Sequence, residues 1–265
     1  MEDVGTKKLI SETQKLLDNN SRLQERSRRK NEFLIRSAEN LKKVITQRET
    51  NNKEQLIQWF TQGILDMTFY EENILVDDEF SEDQNGRERL HLILDALNKP
   101  EKIIAEIYGN DKKARDVLGG EIIETVNWRR GALLYMYCCE ERGKDAIWDK
   151  SHFEQCLKEG VLCLKAMLDV RSPIEEEWKD VLGNDKETYE LLSKGIFSDT
   201  HVLALMYGGE MCYWFFEQSP ASMEFNCQQI GQILLQKYID LVNGPLKGKG
   251  WNSSRANELL GFLNR

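Results

Sequence analysis

Three charged residues interrupt apolar helical stripes, and they are the first groups in the sequence that invite a chemical reading. Glu71 follows Ile64 and Met67 and precedes Leu75. Arg129 stands three after Val126 and four before Leu133. Glu210 stands four after Met206 and four before Trp214. A lone charge taken out of water is costly, so residues in such positions pair. The planar arginine fork suits carboxylates. The spacing therefore predicts a buried, structural ion pair between Arg129 and Glu71 or Glu210. The alternative is that each stripe is only half buried and the charges reach water along their stems.

The second candidate is the acidic stretch Val76 to Gly86, VDDEFSEDQNG. As a calcium loop it fails, because no glycine stands at the sixth position and the ligand spacing is wrong. As a magnesium–diphosphate site of the helical isoprenoid-synthase kind, Asp77-Asp78 supplies half of the first carboxylate run. Asn184-Asp185-x-x-Thr188 opens the second, but Leu192 stands where its last carboxylate belongs. No metal or cofactor is expected. What remains is a partner surface: Asp77, Asp78, Glu79, Glu82 and Asp83 as an acidic rim around Phe80 as an apolar anchor. The competing reading is a solvated loop whose Phe80 folds back onto the helices.

Other chemistry is thin. His91, His152 and His201 are scattered, with no Cys or acid at metal-ligand spacing from any of them. Cys138 and Cys139 point to different sides of a helix, and Cys156 and Cys163 share a face as core residues. There is no Gly-rich phosphate loop and no nucleophile elbow. These readings predict no catalytic residues and a protein that is not an enzyme. One linear motif is left, Glu175-Glu176-Glu177-Trp178-Lys179-Asp180-Val181. It matches the acidic-aromatic-x-x-aliphatic pattern that adds a strand to ubiquitin-like modifiers. The simpler expectation is that Trp178 packs onto the helices.

The elements that hold these residues read as helices throughout. The most apolar stretch, Ile196 to Phe216, carries hydrophobic residues on nearly every side, which marks a buried helix. It is expected over Ser198 to Glu217, with Ser198 and Asp199 capping its first turn. Gly208 and Gly209 allow a close neighbour. Before it, Leu9, Leu16 and Leu23 repeat every seven residues on a first, amphipathic helix that ends in a basic run of Arg22, Arg26, Arg28, Arg29 and Lys30. Further helices are expected from about Asn31, after Asn52, over Leu90–Leu97, from Pro100 to Tyr108 and from Asp111 to Glu141. Others carry Phe153 to Leu168 and Ile230 to Leu241, and the last starts near Asn252. Ile174 to Asn184 reads as a loose connection. The expected architecture is all-α: a multi-helix bundle, or an array of antiparallel helix pairs, around a central buried helix. Residues 1–30 form an N-terminal helix and basic linker, and 31–265 a single helical domain.

Composition sets the class. A net charge of −9 opposes nucleic acid or anionic lipid as the main partner. Six cysteines without CxxC pairs read as reduced thiols. The opening MEDVGTKKLISETQ lacks the apolar core of a secretory signal, so cytosol is the expected compartment.

Several long blocks resemble a known family. They are FLIRSAENLKK (Phe33 to Lys43), TQGILDMTFYEENILVDDEFSED (Thr61 to Asp83), WRRGALLYMYC (Trp128 to Cys138), GIFSDTHVLALMYGGEMCYW (Gly195 to Trp214) and GPLKGKGWN (Gly244 to Asn252). They are similar to a small, helical animal family, the Rab-seven-interacting subunit of the Mon–Ccz complex, which is the exchange factor for that late-endosomal Rab. The resemblance implies a non-enzymatic cytosolic adaptor that binds the GDP form of the Rab and links it to the exchange factor. It further implies stabilisation of the Rab during mitophagy, with recruitment to damaged mitochondria or late endosomes. The alternatives are a helical scaffold in another trafficking complex and an isoprenoid-synthase-like enzyme.

Overall fold

Asparagine and aspartate side chains fix where many of the helices begin. Asn31 accepts hydrogen bonds from the N–H groups of Phe33 and Leu34 (3.0 and 3.3 Å) and opens a helix over Glu32–Thr46. Asn52 accepts from Gln55 (3.1 Å), Asp149 from His152 (3.0 Å) and Asn252 from Ser254 (2.7 Å) in the same way. Each satisfies an N–H that the first turn leaves without an intrahelical partner. The computed structural model describes residues 4–27, 30–50, 52–81, 85–144, 149–183, 185–219 and 225–265. Every regular element among them is an α-helix.

The chain divides into two compact units, Met1–Val126 and Asn127–Arg265. The first holds α1 (Val4–Arg26), α2 (Glu32–Thr46), α3 (Lys53–Asp77), α4 (Gly86–Tyr108), α5 (Ala114–Leu118) and the start of α6 (Gly120–Gly143). Leu9 and Leu16 of α1 are buried inside this unit, where the helix lies against α2 and α4. Asn20 donates to the Leu34 carbonyl (3.0 Å). Helix α1 thus belongs to the first unit, and the division falls within α6 rather than after residue 30. The α2–α3 contact is close because Gly63 has no side chain. Leu41 lies 2.7 Å from where a Cβ would stand, and Ser37 Oγ donates to the Gly63 carbonyl (2.7 Å).

Two expected boundaries differ. Helix α4 runs unbroken through Pro100, which forgoes one backbone hydrogen bond. Its buried face, from Leu90 through Leu94 and Leu97 to Ile104, outweighs that loss. The helix expected over Asp111 to Glu141 is split into α5 and α6 at Gly119, whose φ of +82° leaves the helical region.

In the second unit α10 (Asp199–Gln218) is central. It lies against α7 (Lys150–Leu168), α11 (Cys227–Asn243) and α12 (Ser254–Leu263). Leu205, Met211 and Cys212 have no solvent exposure, while Leu203, Met206 and Tyr207 are half-buried. Gly209 meets Leu235 of α11, 2.5 Å from where its Cβ would stand, so the close neighbour is an α11 side chain. Ser198 does not cap the helix with its side chain. Its hydroxyl engages Thr200 Oγ1 (2.7 Å) and His201 Nδ1 (2.9 Å) instead. The short α8 (Trp178–Val181) and α9 (Lys186–Ser193) lie in and after the connection expected to be loose.

Candidate interaction surface

The described residues that follow α3, Asp78 to Ser81, form a hydrogen-bonded turn. Asp78 ends α3, its N–H on the Ile74 carbonyl (3.0 Å). Glu79 and Phe80 both adopt φ of +51°, which is costly for residues with a Cβ. The return is burial: Phe80 is 1% exposed and its N–H reaches the Leu75 carbonyl (3.1 Å). Burying a phenylalanine gives about 2–3 kcal/mol, of the same order as the strain of about 1–3 kcal/mol at each such residue. The chain can close behind it only because residue 86 is glycine. A Cβ there would lie 2.2 Å from the Phe80 carbonyl oxygen.

Phe80 therefore corrects the sequence expectation, for it folds into the first unit and is not an anchor offered to a partner. The other members separate. Asp78 pairs with Arg89 of α4 (2.7 Å), Asp77 and Glu79 are exposed, and Glu82 and Asp83 lie outside the described residues. Two turns back along α3, Phe69 is 39% exposed and lies against Phe33 of α2 with the rings tilted (4.5 Å between centroids). The Arg36 guanidinium lies over the Phe33 ring (4.8 Å) and pairs with Asp66 (2.9 Å). Phe69, Asn73 and Asp77 are four apart, so one exposed stripe joins the aromatic pair to the acidic end.

Glu71, on α3 in the first unit, is half-buried. Burial pushes its carboxyl up from the ordinary 4.5 to about 7, and neighbouring Glu72 adds to the rise. Arg89 and a hydrogen bond from Asn19 oppose it. Arg89 thus acts on both the half-buried Glu71 and the turn residue Asp78.

Glu210, 8% exposed, belongs to the second unit. It accepts from Tyr135 Oη (2.9 Å) and from Arg255 of α12 (3.0 Å), and Arg255 also reaches Glu258 (3.0 Å). Sequence spacing missed Arg255, because it stands in the exposed opening turn of a helix 45 residues on. Arg129 is half-buried on α6 in the second unit, whereas Glu71 lies in the first.

An aromatic ladder adjoins Glu210. Tyr207 stacks between Trp128 (5.9 Å) and Tyr135 (3.8 Å), and Tyr135 continues to Trp214 (5.5 Å) with Arg142 above it (5.2 Å). Burial first, then the Glu210 charge, raises the Tyr135 phenol, so it stays protonated and donates. The signal was in the sequence: Trp128, Tyr135 and Arg142 are seven apart on α6, as are Tyr207 and Trp214 on α10. These residues interleave because the two helices run in the same direction.

The histidines were not all isolated. His152 and Cys156 are four apart on α7 and in contact (Nε2 to Sγ, 3.5 Å), with Tyr137 Oη on His152 Nδ1 (3.3 Å). All three are buried. Burial also holds the Cys138 and Cys212 thiols well above their ordinary range, so neither is a thiolate nucleophile near neutrality. Among the described residues no group of three or more His, Cys, Asp or Glu side chains could hold a metal ion.

Residues 33–229 and 216–264 match the family model described as RAB7A-interacting MON1-CCZ1 complex subunit 1. The chain belongs to this family. A Danio rerio relative with that name is 40% identical over 225 residues, covering 81% of this chain and 80% of the relative. The Homo sapiens and Mus musculus relatives of the same name are 37% and 36% identical, each over 88% of this chain and 87% of the relative. No solved structure matches. The family blocks read from the sequence span the buried face of α2, the α3–α4 turn, the ladder on α6 and α10, and the α11–α12 connection. The family is named for a subunit of a complex, not for a reaction. No helix among the described residues is long and apolar enough to cross a membrane.

Proposed function

We propose that this chain is a non-enzymatic adaptor that binds the late-endosomal Rab in its GDP form and brings it to the MON1–CCZ1 exchange factor. The observation that carries the reading is family membership: relatives over a third identical across the aligned residues are named for RAB7A and for that complex. An adaptor needs surfaces, and the first unit offers one. The exposed carboxylates of Asp77 and Glu79 steer a basic partner, and the Phe33–Phe69 pair with Arg36 supplies apolar contact. The sealed His152–Cys156 contact and the protonated thiols support a role without catalysis.

The mechanism is linkage. A protein that binds one nucleotide state better than the other shifts the Rab population by its differential affinity. A tenfold preference for the GDP form is worth about 1.4 kcal/mol. The same binding shields the Rab from degradation, which in our reading is its role during mitophagy, with the adaptor moving from the cytosol to damaged mitochondria and late endosomes. The test is a pull-down of purified RAB7A locked in its GDP or GTP state. The proposal expects retention of the GDP form. Equal retention of both forms removes the nucleotide-state claim, and retention of neither removes the Rab reading.

A further inference from the structure

Segment 175–181 is exposed along its whole length, and its two apolar residues point into water. Trp178 is 48% exposed and Val181 72%. They stand three apart on the single turn of α8, hence on one face of it. That face is turned away from the protein, the reverse of an ordinary amphipathic helix. Among the described tryptophans, Trp59, Trp128, Trp214 and Trp251 are buried or half-buried, and Trp178 alone is exposed. The expectation that Trp178 packs onto the helices is overturned.

The surroundings are acidic. Glu175, Glu176 and Glu177 precede the tryptophan and Asp180 follows it, while Lys179 alone is basic and is drawn to Glu176 (3.7 Å) and over the Tyr189 ring (5.8 Å). The ends are pinned: Ile174 N–H reaches the Leu192 carbonyl (3.2 Å), and Asp185 caps α9 through Thr188 (3.1 Å). Between these points the chain is held mainly by turn-type bonds, such as Lys179 N–H to Glu176 and Leu182 N–H to Trp178. A four-residue helix is far below the length that sustains itself, so opening it to an extended strand costs little.

We infer that Glu175–Val181 is a docking segment for a ubiquitin-like modifier of the autophagy type, bound by adding a strand to that partner's sheet edge. Backbone hydrogen bonds to the edge supply general affinity, and two apolar pockets taking Trp178 and Val181 supply specificity. The carboxylates select a partner whose pockets have a basic border. The segment belongs to the second unit, whereas Asp77, Glu79 and Phe69 belong to the first.

The test is fluorescence polarisation between the purified full-length chain and a purified, labelled modifier of this class, with ubiquitin as control. Saturable binding to the modifier and none to ubiquitin is expected. Trp178→Ala should weaken it at least tenfold, and Val181→Ala severalfold. A combined Glu175→Gln, Glu176→Gln, Glu177→Gln variant should bind less tightly with a flatter dependence on salt. Both apolar side chains are exposed, so their variants should keep the wild-type circular dichroism and melting midpoint, and lost binding then reports the contact. The inference is overturned if wild type fails to bind, if Trp178→Ala binds equally well, or if ubiquitin is bound as tightly. Resonance shifts in the labelled modifier should map to its edge strand; shifts confined to another face overturn strand addition.

Discussion

Replacing Glu71 with glutamine should stabilise the protein, and only above a particular pH. The folded protein keeps a proton on Glu71 up to about pH 7, whereas the unfolded chain releases it near 4.5. Between those values the unfolded state binds fewer protons, so stability falls as pH rises and the whole penalty is in place above 7. At 1.36 kcal/mol per pH unit, the gap sets an upper value of about 3 kcal/mol. Glu71 retains some access to solvent, which screens the charge and brings the expected effect to about 2 kcal/mol. Glutamine keeps the shape and can accept from Asn19 without ever ionising. Urea unfolding of both proteins at pH 5 and pH 8 decides the matter. The account expects near-equal midpoints at pH 5 and a higher midpoint for Glu71→Gln at pH 8. A variant less stable than wild type at pH 8 would refute it, by showing that the carboxylate is held charged by Arg89.

Further outcomes follow from the packing. Phe80→Ala should cost about 3–5 kcal/mol by thermal or urea unfolding, as expected for a deleted core aromatic. Asp77→Lys with Glu79→Lys should leave stability within about 0.5 kcal/mol but slow Rab association in stopped-flow measurements and alter its salt dependence. Gly209→Ala should destabilise by about 1–3 kcal/mol, because its Cβ would lie 2.5 Å from Leu235. Glu210→Ala should cost about 1–3 kcal/mol by removing the acceptor of Tyr135, with loss of near-ultraviolet dichroism from the aromatic ladder.

Local chemistry made much of this fold readable. Asn31, Asn52 and Asn252 announce helix starts because a short acceptor side chain meets free N–H groups one turn on. The central helix was visible because apolar residues cover it on nearly every side. Pro100 misled because a proline start signal is local, while the buried face from Leu90 to Ile104 belongs to one continuous helix. Gly119 misled the other way, since its positive φ leaves no mark in periodicity. The site was less legible for the same reason. Phe80 and its acids are adjacent in sequence, but two positive-φ residues turn the ring inward and leave the Asp77 and Glu79 carboxylates outside. Arg255 was invisible because pairing across 45 residues has no spacing rule, whereas the ladder did have one in its paired seven-residue intervals.

The most direct test of the adaptor reading is mass photometry on the purified chain, GDP-loaded RAB7A and the MON1–CCZ1 complex, alone and mixed. The account predicts a species with the summed mass of all components, and a larger share of Rab associated with the exchange factor when the chain is present than when it is absent. An unchanged share, with the chain running free of both partners, would contradict it.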